Sequence, residues 1–231
     1  MKKIAIFGGA FDPVHWGHLR IAEAALDQAQ LDLILWVPSY QPPHKSSPRL
    51  RLSYPHRLAM IHLAVAEQPH FGVSTVERDR QISYGIETLR NLQQLHPAAE
   101  WAWITGVDQF QMLPHWLGQI ELARTCRWLI APRRIAGLNC HATPAVTPRG
   151  TTKLTDHSPL VIATAQCEPI AQWFHAQSVN IQWQVLDMPT IDLSSSLIRS
   201  YCQQGRSIRD WVPEPVRLYL EQNPLYGSPA D

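Results

Sequence analysis

Several things are scarce in this sequence. Only four cysteines occur in 231 residues (Cys126, Cys140, Cys167, Cys202), far apart and with no CxxC pair. That excludes a disulfide framework and a zinc ribbon and predicts isolated thiols in a reducing cytoplasm. Charge is sparse at 17%, and 20 basic residues against 19 acidic ones leave a net +1. So even a balance argues against a general nucleic-acid binder, which carries a basic face, while still allowing a small phosphate site built from a few cations. No apolar run approaches the ~18 residues of a membrane span. After Lys2-Lys3 the apolar stretch is broken at once by Gly8-Gly9 and Asp12-Pro13, which excludes a signal peptide. Neither GxGxxG nor GxxxxGK[ST] is present, so the common dinucleotide and P-loop cradles are excluded. There is no internal repeat, and no Ser–His–Asp or Cys–His arrangement has local support.

What is plentiful is apolar residue (45%), together with 19 prolines and nine tryptophans. A chain of this length is one large domain, or one with a small appendage, and can bury a substantial core. Lys3–Phe7 reads as a buried strand ending at Gly8-Gly9. Leu19, Ala22, Leu26 and Ala29 then recur at helical spacing. Strands are expected over 31–37, 71–76, 100–105, 127–131 and 181–186. Helices are expected over 55–67, 83–95, 117–124, 169–176, 197–203 and 215–221. Residues 38–55 read as a long surface loop, and 132–160, with no period, as an irregular excursion. Alternating strands and helices predict an α/β fold: a Rossmann-like, doubly wound parallel sheet over residues 1–190, followed by a small helical part over 191–231. Ligands on such sheets lie beyond the carboxyl ends of the strands.

After the first strand comes Gly8-Gly9-Ala10-Phe11-Asp12-Pro13-Val14-His15-Trp16-Gly17-His18. Two glycines allow a tight turn and close approach of a ligand. The turn feeds a helix start, where free N–H groups attract anions. His15 and His18, three apart, can project to one side, and Gly17 between them removes a side chain where phosphate oxygens would sit. A metal site is the rival reading, without a third ligand nearby. Far downstream, Ser194-Ser195-Ser196 opens a helix with Arg199 about one turn on, a second anion-binding start.

These segments resemble the HxGH nucleotidyltransferases, and within them the bacterial nicotinate mononucleotide adenylyltransferases. The resemblance runs over nearly the whole chain: the 8–18 motif; Val37-Pro38 to Lys45, similar to a substrate loop; Ser83-Tyr84-Gly85, similar to a Ser-Tyr-Thr turn; Gly106-Val107-Asp108 with Pro114-His115-Trp116; Leu193 to Arg199, similar to ISSTxIR; and Val212-Pro213 to Tyr226. It implies adenylyl transfer from ATP to nicotinate mononucleotide, with Mg²⁺ held mainly by ATP phosphates and no metal site of the protein's own. It implies catalytic roles for His15, His18 and Arg199. Gly8, Gly9, Ala10, Phe11, Gly17, Gly106, Asp108, Arg134, Ser195 and Ser196 would join them around ATP. Asp12, Lys45, Ser83, Tyr84, Gly85 and Trp116 would serve the acceptor. Gly85 stands where Thr is usual and Ile135 where Pro is. Alternatives are a nicotinamide mononucleotide or dual-specificity enzyme, another HxGH adenylyltransferase, or a non-catalytic nucleotide-binding module. A cytoplasmic protein without nucleic-acid or membrane partners is expected, with a homo-oligomer left open.

Overall fold

A computed structural model describes residues 1–41, 50–133 and 158–227. Within them six parallel strands form one sheet: β1 (Lys2–Gly9), β2 (Leu33–Pro38), β3 (Phe71–Val73), β4 (Ala99–Gly106), β5 (Cys126–Ala131) and β6 (Trp183–Val185). Their order is β3-β2-β1-β4-β5-β6. The order reverses between β1 and β4, and at such a switch point a crevice opens beyond the strand ends. Register sets Ile6 of β1 beside Leu35 of β2 and Trp103 of β4, so the ends of all three strands fall on one rim.

Alternation along the strands sorts the core into two halves. Ala5, Phe7, Ile34, Trp36, Ala102 and Ile104 face helices α1 (Trp16–Gln28), α2 (Tyr54–Val65), α7 (Ser195–Gln203) and α8 (Glu214–Gln222). Ile4, Ile6, Leu35, Val37, Trp101, Trp103 and Trp128 face α3 (Gly85–Leu95), α4 (Val107–Gln111), α5 (Gln119–Thr125) and α6 (Pro159–Ala176). The doubly wound architecture is therefore as the alternation of elements predicts. None of the described helices is long and apolar enough to cross a membrane.

Three local readings need correction. The excursion expected to run to 160 ends before Pro159, where α6 begins ten residues earlier than the expected Pro169. Proline at a first helical turn costs nothing because its missing N–H has no partner there, so Pro159 is the true start. Pro169 sits inside the helix, held there by burial of Ala163, Cys167 and Phe174 against the sheet. A short helix, α4, and a 3₁₀ turn over Leu113–His115 fill what the sequence leaves undivided between β4 and α5. The strands expected over 71–76 and 181–186 are three residues each.

Candidate active site

β1 ends at Gly8-Gly9 on the rim, and the chain turns through Phe11, whose φ is +49°. A Cβ on Gly9 would meet the Phe11 ring at 3.0 Å, so glycine lets that ring fold back under the loop without being pushed aside. Phe11 in turn lies edge-on to the His18 imidazole, with centroids 5.0 Å apart. His15 is the N-cap of α1 and His18 its third residue. Their rings stack at 3.7 Å between centroids, 25° from parallel. A Cβ on Gly17 would meet the His15 ring at 2.9 Å and Ile191 at 3.1 Å. The glycine between the histidines is therefore required to seat His15 before any phosphate enters.

His15 is buried and His18 keeps a partly exposed edge. Burial lowers His15 to about 4. Burial, then the neighbouring His15, holds His18 well below its ordinary value. Both rings are thus neutral at pH 7. The backbone N–H of His15 donates to Nδ1 of His18 at 3.3 Å. Neutral His18 therefore carries its proton on Nε2, which leaves that N–H to donate elsewhere.

The start of α7 comes to the same place from 182 residues further along the chain. Ser195 Oγ donates to the Pro13 carbonyl at 2.9 Å. Arg199 Nη1 donates to the Asp12 carbonyl at 2.7 Å, and its Nη2 donates to Ser196 Oγ at 2.9 Å. Ser194 caps the helix, its hydroxyl accepting from the Leu197 N–H. The two anion-attracting helix starts read from the sequence thus flank one loop, residues 10–15.

Asp12, expected beside the acceptor, is a buried hub. One carboxylate oxygen accepts from the Arg51 N–H at 2.7 Å and the Leu52 N–H at 3.4 Å. The other accepts from the Tyr226 hydroxyl at 2.6 Å. Burial and the adjoining Asp12 raise the Tyr226 phenol well above its ordinary value. Beside it Arg57, almost wholly buried on α2, donates to the carbonyls of Ala10 (2.8 Å) and Leu52 (3.3 Å). Sequence reasoning missed Arg57, and it placed Tyr226 only at the end of a segment resembling the family, without a role. An arginine inside an otherwise apolar helical stretch was the available signal for the first.

On the other side of the switch point β4 ends at Gly106, where a Cβ would meet nothing within 4 Å, so the approach is open. Asp108, in the first turn of α4, pairs with Arg133 at the end of β5. Arg133 was not singled out by the sequence; its neighbour Arg134 was, and both Arg134 and Lys45 lie outside the described residues. Further along the rim, Tyr84 caps α3 and Gly85 begins it. A Cβ on Gly85 would meet Trp103 and Trp116, each at 3.2 Å. Trp116 stands edge-on to Trp103 and Trp128, 5.9 and 6.0 Å away. Two indoles therefore occupy the side where a larger residue at 85 would project. Ser83 is buried behind this turn, its hydroxyl accepting the N–H groups of Tyr40 and Gln41 at 3.0 and 3.1 Å.

The assembled donors are imidazole, hydroxyl, guanidinium and helix-start N–H. Such a set favours phosphate oxygens over a hard cation, which takes oxygen ligands.

Comparison with known proteins gives the family of the chain. The model of the cytidylyltransferase-like family matches residues 6–201. A probable nicotinate-nucleotide adenylyltransferase of Trichormus variabilis is 43% identical over the full length of both chains. One of a Synechococcus strain is 41% identical, covering 99% of this chain and 98% of its own. The chain belongs to the nicotinate-nucleotide adenylyltransferase family. The matched span opens inside β1 and closes inside α7, so it takes in both helix starts of this adenylyltransferase chain and leaves α8 and Tyr226 outside. Among solved structures, a Plasmodium falciparum nicotinic acid mononucleotide adenylyltransferase complexed with NaAD superposes with a TM-score of 0.69, covering 98% of each chain at 17% identity. At that identity the likeness speaks for the fold.

Proposed function

We propose that the protein transfers the adenylyl group of Mg·ATP to the 5′-phosphate of nicotinate mononucleotide, giving nicotinate adenine dinucleotide and pyrophosphate. One observation carries this reading: the His15–His18 pair and the Ser194–Arg199 helix start meet on a single loop, 2.7–2.9 Å bonds tying the second to the first. Each helix start offers roughly half a positive charge to an anion between them.

In the reaction a phosphate oxygen of the mononucleotide attacks the α-phosphorus of ATP. The new P–O bond forms as the bond to the β-phosphate breaks, and pyrophosphate departs with the electron pair. The attacking oxygen is anionic near neutral pH, so no general base is required; positioning and charge absorption do the work. His18, through its Nε2–H, is assigned to the α-phosphate, with His15 seated against it. Their depressed basicity suits a site that starts neutral and is drawn toward protonation as phosphate charge arrives. Ser195, Ser196 and Arg199 are assigned to the β- and γ-phosphates; the bonds from Ser195 to Pro13, from Arg199 to Asp12 and from Arg199 to Ser196 hold them in place for it. Gly8, Gly9, Ala10 and Phe11 line the phosphate path. Gly106 and Asp108 are assigned to the ribose, with Arg133 beside them and Arg134 next along the chain. Mg²⁺, held mainly by the ATP phosphates, would neutralise part of their charge.

For the acceptor we assign Lys45 to its phosphate, Trp116 to the pyridine face, and the N–H groups of Tyr84–Gly85 at the start of α3 to the nicotinate carboxylate, where a charged acceptor gains more than an amide. Ser83 supports that turn. Asp12 holds both loops from beneath. A dual-specificity reading keeps one observation on its side, the absence of a side chain at Gly85. We place the protein in the cytoplasm, a reading supported by free thiols at Cys126, Cys167 and Cys202.

The test is pyrophosphate release from Mg·ATP with each acceptor in turn. Release with nicotinate mononucleotide at about tenfold or higher kcat/KM than with the nicotinamide form is expected. Equal values would move the reading to dual specificity, and silence with both would sink it.

A further inference from the structure

Glu77 is in the turn that follows β3, in none of the roles described so far, and is 94% buried as the complement of its 6% exposure. A buried carboxylate is costly unless its oxygens are engaged, so its surroundings need an account. One oxygen, Oε1, accepts from the hydroxyl of Thr88 at 2.6 Å. Thr88 is itself buried in the first turn of α3, with the Tyr84 carbonyl 3.3 Å from the same hydroxyl. The second oxygen, Oε2, is buried without completing a hydrogen bond. Burial pushes the acid above its usual range, and nearby hydroxyls of Ser83 and Thr88 and the Tyr40 N–H draw it back.

Ser83 explains why an acid belongs here. Its oxygen already accepts two N–H groups, from Tyr40 and Gln41, and its own N–H donates to the Gln41 carbonyl at 2.8 Å. A hydroxyl with both lone pairs engaged keeps only its proton to offer, and Ser83 is among the groups that draw the buried Glu77 acid back toward its usual range. The carboxylate thus faces two hydroxyls. One fixes the first turn of α3; the other fixes where the chain leaving β2 runs past residue 83. Arg80 ties the same turn to α3 from outside, through Glu87 at 3.2 Å.

Resting on the adenylyl-transfer reading, we propose that Glu77 is a positioning residue for the acceptor: through Thr88 and Ser83 it sets the Tyr84–Gly85 turn against Trp103 and Trp116, and so sets acceptor affinity without touching substrate. The ATP side has its own hydrogen-bonded supports: Asp12 accepts from the Arg51 N–H and Arg57 donates to the Ala10 carbonyl, so only charge, and no hydrogen bond among these, links Arg57 to Glu77.

The experiment is steady-state kinetics of Glu77→Gln and Thr88→Val in the full chain, with KM measured separately for nicotinate mononucleotide and ATP and thermal midpoints recorded alongside. Small displacements of a positioned group cost up to about 10²-fold, so the expected rise in acceptor KM is about 5–20-fold for Glu77→Gln and about threefold for Thr88→Val. ATP KM and kcat should stay within about twofold. A purely structural role would lower the thermal midpoint and leave both KM values alone; that result, or a rise shared equally by ATP, overturns the proposal. Should Glu77→Gln fail to fold, Thr88→Val decides by the same criterion. The parent enzyme separates the two readings. If it releases no pyrophosphate with nicotinate mononucleotide, the functional reading falls and takes this proposal with it. If it does and the variants' acceptor KM is unmoved, only the role of Glu77 falls.

Discussion

The two halves of the site are held together by different physics. The half assigned to ATP is a polar lattice that joins residues far apart in sequence: Ser195 to Pro13, Arg199 to Asp12, Tyr226 to Asp12, Arg57 to Ala10. The half assigned to the acceptor is mostly ring against ring, with Trp103, Trp116 and Trp128 packed edge-on or stacked beside a bare glycine. Phosphate charge needs fixed dipoles that do not reorganise as the reaction proceeds. A flat pyridine needs a shaped apolar wall. Polar lattices fail when one member is removed, because the partners are left buried and unpaired. Apolar walls fail by clash or cavity. Mutations in the two halves should therefore fail in distinguishable ways.

The largest effect is expected at His18. Removing a donor aimed at charge developing in the transition state costs about 10²–10³-fold in kcat. His18→Ala should lose about 100-fold or more in turnover while circular dichroism and the thermal midpoint stay near the parent's. Unchanged turnover would falsify its assignment to the α-phosphate.

Next comes the hub beneath it. Asp12→Ala strands the Tyr226 hydroxyl and the Leu52 N–H in a buried place and the Arg51 N–H in a partly buried one. Breaking such a network costs about 2–4 kcal/mol. Denaturant unfolding should show that loss, and an unchanged midpoint would mean the lattice is not what holds the ATP half. Glu77→Gln makes the contrast on the other side: a KM effect on acceptor larger than its stability effect.

These contrasts also show what a sequence discloses. The doubly wound sheet was legible because strands and helices alternate with the correct periods, and periodicity depends on neighbours in the chain. His15, Gly17 and His18 were legible for the same reason, lying within one turn. Asp12 was noticed but its place was not, because its partners are Arg51, Leu52 and Tyr226, and no local pattern announces a contact across 214 residues. Glu77 and Arg57 were passed over because an isolated charge in a turn or helix ordinarily faces water. The start of α6 was misplaced because two prolines ten residues apart each fit a helix start, and only burial of Ala163 and Cys167 selects the earlier one.

A smaller effect separates His15 from His18 by pH. In the folded chain burial lowers His15 to about 4, against an ordinary value of 6.5. The unfolded chain therefore takes up a proton as pH falls through 6.5, and the folded chain does so only near 4. Stability is fully present above pH 6.5 and is lost on the way down to 4. Between pH 7 and 5 that is about 2 kcal/mol from this one group. His15→Gln should flatten the decline by that amount relative to the parent. A parallel decline in the two proteins would mean that His15 is not buried as a neutral ring. Bound ATP should oppose the decline, because phosphate stabilises the protonated rings.

The smallest effect tests the apolar half where it departs from its relatives' expected pattern. Threonine at 85 would put a Cβ at 3.2 Å from both Trp103 and Trp116, closer than such contacts ordinarily come. The indoles must then shift, and both line the place assigned to the pyridine ring. Overpacking of this kind costs about 1–3 kcal/mol, and only the part that falls on the ring-binding face reaches the kinetics. Gly85→Thr should therefore raise acceptor KM about tenfold and leave ATP KM within about twofold. Adding Trp103→Phe removes part of the indole that the new side chain meets, and acceptor KM should fall back toward the parent value. If instead threonine alone improves nicotinate binding, its hydroxyl has found the carboxylate and the indoles yield easily. The wall would then be a soft surface, and the contrast between a rigid polar half and a rigid apolar half would not hold.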